Sequence, residues 1–415
     1  MADDKTAMAE PVRATSRWYV LAVLTAIMTV HHIDRNVISV VVEPIRLEFG
    51  LSDGAMGLLT GFAHSATLAL FILPMGWVAD RVNRVRMIAA LVLVWSCLTG
   101  LGAVANSYVA LLLMRCGVGA AEAGGPPAAI SVLSDVFPKH ERPTAMGIYY
   151  VHVALGVGLI FLGGGWIAQH FGWRAAFLLA GGPGIGLGLL LLFTVREPVR
   201  DRSAAGAAPG VREMAAALVG NRPLQLILLA GASATIAQTS VWAWMAAFFM
   251  RAHGMSLIDV GLLVAMSAGV AKGLGSALSG PLTRWMSHDR TALMWRLPAL
   301  MLCLSVPICW AMVLLPGIVL PIASALLLGA ALGCWAGPAM VILVAAVQPR
   351  MRASSVSAYH LCCNLIGASG GPLLTGLLSD MLGGGTALGT ALAIALTVNF
   401  LAAACFFAAC RRVDR

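Results

Sequence analysis

Gly76-Trp77-Val78-Ala79-Asp80-Arg81-Val82-Asn83-Arg84-Val85-Arg86 ends one long apolar run and opens the next. The run before it extends from about Ala55 to Val78, and the run after it from about Met87 to Asn106. A helix needs about 20 apolar residues to cross the hydrocarbon of a bilayer, and both runs reach that length. A dense cluster of charge between two such runs is a tight loop at a membrane surface. Its arginines fix topology. Gly76 is expected to let helices approach closely. Asp80 falls at a helix end, where it accepts hydrogen bonds from Arg81, Arg84 or nearby backbone.

The pattern repeats outward from this loop. Spans are read near 18–42, 55–79, 87–106, 108–134, 143–169 and 174–195. A break rich in charge, Ala, Gly and Pro follows at 196–222, with a short surface helix expected at 211–219. Further spans lie near 223–250, 257–284, 291–314, 318–346, 353–381 and 385–410. The expectation is an all-α membrane protein of twelve transmembrane helices in two pseudo-symmetric six-helix bundles, 18–195 and 223–410. Residues 1–17 and 411–415 are its tails and 196–222 its linker. Trp18 opens a run too long for a signal-peptide core, with no small-residue cleavage pattern after it, so the first span is expected to stay attached.

Composition agrees. The chain of 415 residues is 60% hydrophobic and only 11% charged, against about 25% charged in a soluble domain. Its 45 glycines suit helices packed closely in lipid. The net charge of +9 does not point to nucleic acid, because the charge lies in the loops of one side. With the N-terminus inside, the inner side holds twenty lysines and arginines and the outer side three, Arg46, Arg174 and Arg251. This asymmetry predicts cytoplasmic termini. The nine cysteines sit almost wholly in apolar runs and read as small buried hydrophobes.

The two halves echo each other. Gly280-Pro-Leu-Thr-Arg284, after the eighth span, occupies the place that Gly76 to Asp80 occupies after the second. A six-plus-six repeat fits a transporter with its site between the halves near the midplane. The Gly-x-x-x-Asp-Arg-x-Asn-Arg spacing of residues 76–84 resembles the signature of the major facilitator superfamily. His32-Ile33-Asp34-Arg35-Asn36, Arg115-Cys-Gly117-Val-Gly119-Ala-Ala-Glu122-Ala123 and Gly172-Trp-Arg-Ala-Ala-Phe177 together resemble its spinster-like branch. Gly124 stands where that branch usually has a Ser after Glu-Ala. The resemblance implies a proton-linked secondary transporter of lysolipids, sphingolipid-type molecules or related amphiphilic anions, working by alternating access. The alternative within the same fold is a carrier of a small organic anion, or a drug exporter. Residues Gly76, Asp80, Arg81 and Arg84 form the gating motif of that fold. A monomer in a bacterial inner membrane, surrounded by lipid and needing no cofactor, is the expected setting.

Ionisable residues inside spans are costly and mark function by default. Asp34 and Arg115 each lie about eight residues from the outer ends of their helices, or roughly 12 Å deep at 1.5 Å per residue. Matching depth makes them either a buried pair that fixes helix register or a proton and substrate switch. Glu122 lies two turns beyond Arg115 on the same face. Arg35 points about 100° away from Asp34, toward the cavity or toward a neighbouring helix. Lys272 sits mid-span in the eighth helix, a poor place for snorkelling, and is a candidate for an anionic headgroup. His64, His152 and His360 are either structural or titrating, and His31 and His32 are further candidate proton relays. Tyr150, Trp242 and Asn364 either line an amphipathic cavity or pack. Pro126-Pro127 and Gly163-Gly-Gly165 are expected to bend the fourth and fifth helices. The chain has no Walker-type phosphate loop, no His-Glu-x-x-His helix and no Gly-x-Ser-x-Gly turn, so it is not expected to be an enzyme or to run on ATP.

Overall fold

The computed structural model describes residues 16–79, 81–138, 140–198, 220–286, 296–348 and 351–413. All regular structure among them is helical. Among the described residues, ten helices are long and apolar enough to cross a membrane. In chain order they are α2 (Asp53–Ala79), α3 (Arg84–Val104), α5 (Arg142–Phe171), α6 (Trp173–Thr194), α7 (Arg222–His253), α8 (Leu257–Trp285), α9 (Arg296–Leu314), α10 (Val319–Ala345), α11 (Ser354–Met381) and α12 (Gly385–Ala409). Two more segments complete the set: α1 (Arg17–Val40), and α4, built of Tyr108–Glu122 and Gly125–Val136. Charged residues within α1 lower its apolar character, and the break in α4 leaves pieces of 15 and 12 residues.

Short polar side chains start many of these helices by accepting orphan backbone N–H groups. Ser52 accepts from Ala55 N (3.2 Å), Ser107 from Ala110 N (3.2 Å) and Ser256 from Asp259 N (3.2 Å). Asn221 does the same for Leu224 N (2.9 Å) and Asn83 for Arg86 N (2.8 Å). The Asn of the 76–86 stretch is therefore a helix cap.

Two expectations change in detail. The first span ends at Val40, and a separate short helix, Val42–Phe49, follows. Pro44 stands in its first turn, where the missing N–H costs nothing. In α4, Pro126 and Pro127 do not bend a continuous helix. They occupy the first turn of a new one after a break at 123–124. The expected helix at 211–219 lies outside the described residues.

Four helices contain π-helical stretches: 58–62 in α2, 160–164 in α5, 265–271 in α8 and 363–368 in α11. The same four form the seam between the halves, α2 against α11 and α5 against α8. Glycine sets the approach on each side. A Cβ at Gly61 would sit 2.7 Å from the Pro372 ring, and one at Gly261 would collide with the Phe161 carbonyl. Gly76, in the last turn of α2, makes no such approach: a Cβ there would meet nothing within 4 Å. One apolar core runs across both halves and includes Val41, Phe161, Trp244 and Leu328. Two others, around Trp95 and around Phe406, belong to one half each.

Candidate functional site

Asp34 of α1 is fully buried and takes three hydrogen bonds. Arg115 Nη1 donates to its Oδ1 at 2.8 Å and to its backbone carbonyl at 3.3 Å. Thr99 Oγ1 of α3 donates to Oδ2 at 2.6 Å. A guanidinium opposite a carboxylate is the pairing that makes such burial tolerable. Arg115 still has Nε and Nη2 without a hydrogen-bond partner among the described residues.

Glu122, also fully buried, is held from other helices. His64 Nε2 of α2 lies 2.7 Å from Oε2, and His31 Nδ1 of α1 lies 3.3 Å from the same oxygen. Arg115 and Arg35 lie within electrostatic reach of this carboxylate, and Asp34 and Glu122 act on each other in the same way. The three residues singled out in α1 and α4 thus sit in one buried cluster. The histidine that completes it was only a weak candidate in the sequence.

Beside the cluster lies a cavity of about 630 Å³ shared by both halves. The first half contributes His32, Arg35, Asn36, Thr60, His64 and Tyr150, and the second Gln238, Thr239, Trp242, Lys272 and Ser276. Arg35 therefore faces the cavity, which its position in the helix left open. Lys272 is half-buried, with Nζ 5.9 Å from the Trp242 ring centroid, a cation–π contact. Trp242 Nε1 is buried without a hydrogen-bond partner among the described residues. Gln238 accepts from Trp335 Nε1 at 3.1 Å, which leaves its amide nitrogen free to donate.

The other candidates lie elsewhere. His152 is buried behind Tyr150, with Nδ1 2.5 Å from the Tyr149 carbonyl and its ring 4.9 Å from that of His32. His360 is exposed and Asn364 donates back to its carbonyl at 2.8 Å, so neither lines the cavity. In the 76–86 stretch, Asp80 lies outside the described residues. Arg81 stacks over Trp77 at 3.7 Å and donates to its carbonyl. Arg84 is buried and binds Asp135 (2.6 Å) and Ser131 (2.7 Å) of the first half and Glu197 (2.7 Å) at the start of the linker.

A second cluster escaped the sequence reading. Arg251, at the end of α7, binds Asp53 through both Nη1 and Nη2 at 2.8 Å and Glu43 through Nε at 2.7 Å. Asp380 of α11 accepts from the backbone N–H groups of Asp53 (2.9 Å) and Gly54 (2.8 Å) at the start of α2. Gln169 of α5 accepts from Ile258 N at the start of α8 (3.1 Å). Among the described residues, polar contacts between the halves gather at this face. Nearby, hydrogen bonds from Arg174 and Trp173 hold the exposed Glu48 carboxyl below the usual carboxylate range. The signal was present in the sequence as Arg251, one of three basic residues on a face otherwise without them.

Ten helices of membrane-spanning length with two further helical segments, a cavity lined from both halves of the chain and charges buried beside it define a membrane transporter. Residues 24–372 match the Major Facilitator Superfamily, and the chain belongs to that superfamily, in its spinster-like branch. It is an integral membrane transporter and not an enzyme. The chain is 32% identical to an MFS-type efflux pump of Mycolicibacterium smegmatis, over 96% of this chain and 94% of the pump. It is 26% identical to the sphingosine-1-phosphate transporter SPNS2 of Danio rerio, over 85% and 74%. The solved structure of a bacterial homologue of the human lysosomal transporter Spinster, inward-facing and occupied, superposes with a TM-score of 0.82. That likeness has 30% identity and covers 95% of this chain and 97% of the other.

Proposed function

We propose that this chain is a proton-coupled secondary transporter of an amphiphilic anion, lysolipid or sphingolipid-like, working by alternating access. The two bundles, 18–195 and 223–410, rock about the cavity and are joined by the linker 196–222. Both termini face the cytoplasm of a bacterium, the protein sits in the inner membrane, and it acts as a monomer. The observation that carries this reading is the pair of cations in the cavity. Arg35 comes from one half and Lys272 from the other, and neither forms an ion pair among the described residues. An anionic headgroup would give each a charge-assisted hydrogen bond. Tyr150, Trp242 and the apolar wall beside them suit a tail.

Asp34, Arg115 and Glu122 form the coupling unit of this proposal. Paired with Arg115, Asp34 is ionised. When the cavity closes, or when substrate draws Arg115 away, the acid is left in a dry site and takes up a proton. The two conformations then bind the proton with different affinity, and that difference is the coupling.

The test is flux into liposomes that contain the purified protein, with labelled lysolipid against a labelled small carboxylate and an imposed pH gradient. Accumulation of lysolipid alone is expected. Lys272→Ala should weaken binding of the anionic lipid more than that of a neutral analogue. Equal loss for both would make Lys272 structural. The likeness to an efflux pump supports the second reading, a drug or small-anion exporter, and carboxylate or drug flux without lipid flux would establish it.

A further inference from the structure

The geometry points to His64 as the proton carrier between the cavity and Glu122, an assignment that rests on the proton-coupled reading above. Glu122 is fully buried and does not line the cavity, so cavity water does not touch it. His64 meets both: its side chain lines the cavity, and Nε2 lies 2.7 Å from Glu122 Oε2. Among the described residues it is alone in doing so. His31 approaches the same oxygen at 3.3 Å, but its Nδ1 makes no hydrogen bond. It reaches the cavity only through His32, whose ring lies 5.2 Å away.

Local sequence builds this contact. The π-helical stretch Leu58–Phe62 ends just before His64 and widens the turn that sets its direction. Gly119 of α4 lies against the His64 carbonyl and Thr67 Oγ1, where a Cβ would collide, so glycine allows α2 and α4 to close up. Glu122 follows three residues later, on the same face as Gly119. The groups around the carboxylate are His64 from α2, His31, Asp34 and Arg35 from α1, and Arg115 from its own helix. The α3 helix presents Thr99 and Trp95 there. His64 in turn lies in the field of Arg115, Arg35 and His31.

The step balances simply. The imidazole takes a proton from hydronium in the cavity on one nitrogen, leaving water, and releases the Nε2 proton to Oε2. The carboxylate becomes a carboxylic acid, the ring ends neutral, and one proton has left the cavity. The reverse transfer returns it.

The experiment is time-resolved infrared spectroscopy of the full-length protein after a pH jump. It follows the carboxylic-acid C=O band that disappears in Glu122→Gln. Both His64→Ala and His64→Gln should slow the appearance of this band at least about tenfold, a modest share of what a general acid–base group contributes. Glutamine keeps a hydrogen bond to Glu122 through its amide but cannot take up and release a proton, so a purely positioning role predicts native speed in that variant. Added imidazole should restore the rate in His64→Ala. A native rate in His64→Gln overturns the assignment. So does equal slowing in His31→Gln, or failure of imidazole in a His64→Ala protein that melts like the parent. If His64→Ala does not fold, His64→Gln decides. A Glu122 band that never titrates in the parent protein overturns the coupling reading itself, and this inference with it.

Discussion

Arg251→Ala should open the face that Arg251 closes. The side chain is 9% exposed, its partners Asp53 and Glu43 are 2% and 8% exposed, and three short hydrogen bonds cross from the second half to the first. Removing one member of a buried ion pair costs about 3–5 kcal/mol, because the other charge stays buried and unpaired. Here the cost falls toward the lower end. Arg46 still holds Glu43 at 2.7 Å and stands 4.0 Å from Asp53. The loss applies only to the conformation in which the halves meet at this face. A value of about 3 kcal/mol shifts the equilibrium ~150-fold, enough to bring a 99:1 preference to near parity. Distances between spin labels at Leu47 and Val319 read this directly, in a variant with the nine cysteines replaced. Both positions are exposed, and they lie on the same face in different halves. Arg251→Lys should fall between the two, since an ammonium does not reproduce the two-pronged contact. Adding Asp53→Asn to Arg251→Ala should recover part of the closed population. An unchanged distance distribution in Arg251→Ala would refute the clasp as a determinant of the closed state.

Arg115→Ala leaves Asp34 buried without its cation, so a loss of about 3–5 kcal/mol is expected, read as a lower melting temperature in detergent. Asp34→Asn and Glu122→Gln should each abolish pH-driven accumulation while exchange of substrate across the membrane continues. Uptake that still follows the pH gradient in the double variant would place the proton path elsewhere. Gly261→Val drives a side chain into the Phe161 carbonyl at the seam of α5 and α8, so the same spin-label distances should lengthen. An unchanged distribution would show that the seam yields.

Much of this protein is written along single helices. Runs of about 20 apolar residues are obligatory because backbone polar groups in lipid must bond within their own helix. A charged stretch such as residues 76–86 therefore ends a span whatever lies beside it. The same logic placed Asp34 and Arg115 at one depth, since rise per residue converts sequence position into depth. What a helix touches sideways is a different matter. Periodicity gives the residues of one face but not the helix that face meets. The contact of His64 with Glu122 spans 58 residues, and that of Arg251 with Asp53 spans 198. Arg35 turned out to line the cavity, His360 and Asn364 not to be among its lining residues, and a Cβ at Gly76 to meet nothing within 4 Å, although each obeys the same local rules. Hydrophobic length, helix caps and charge at loops are local properties and were determined by the sequence alone. Which acids meet which bases was decided only by packing, because that free energy is a property of two helices together.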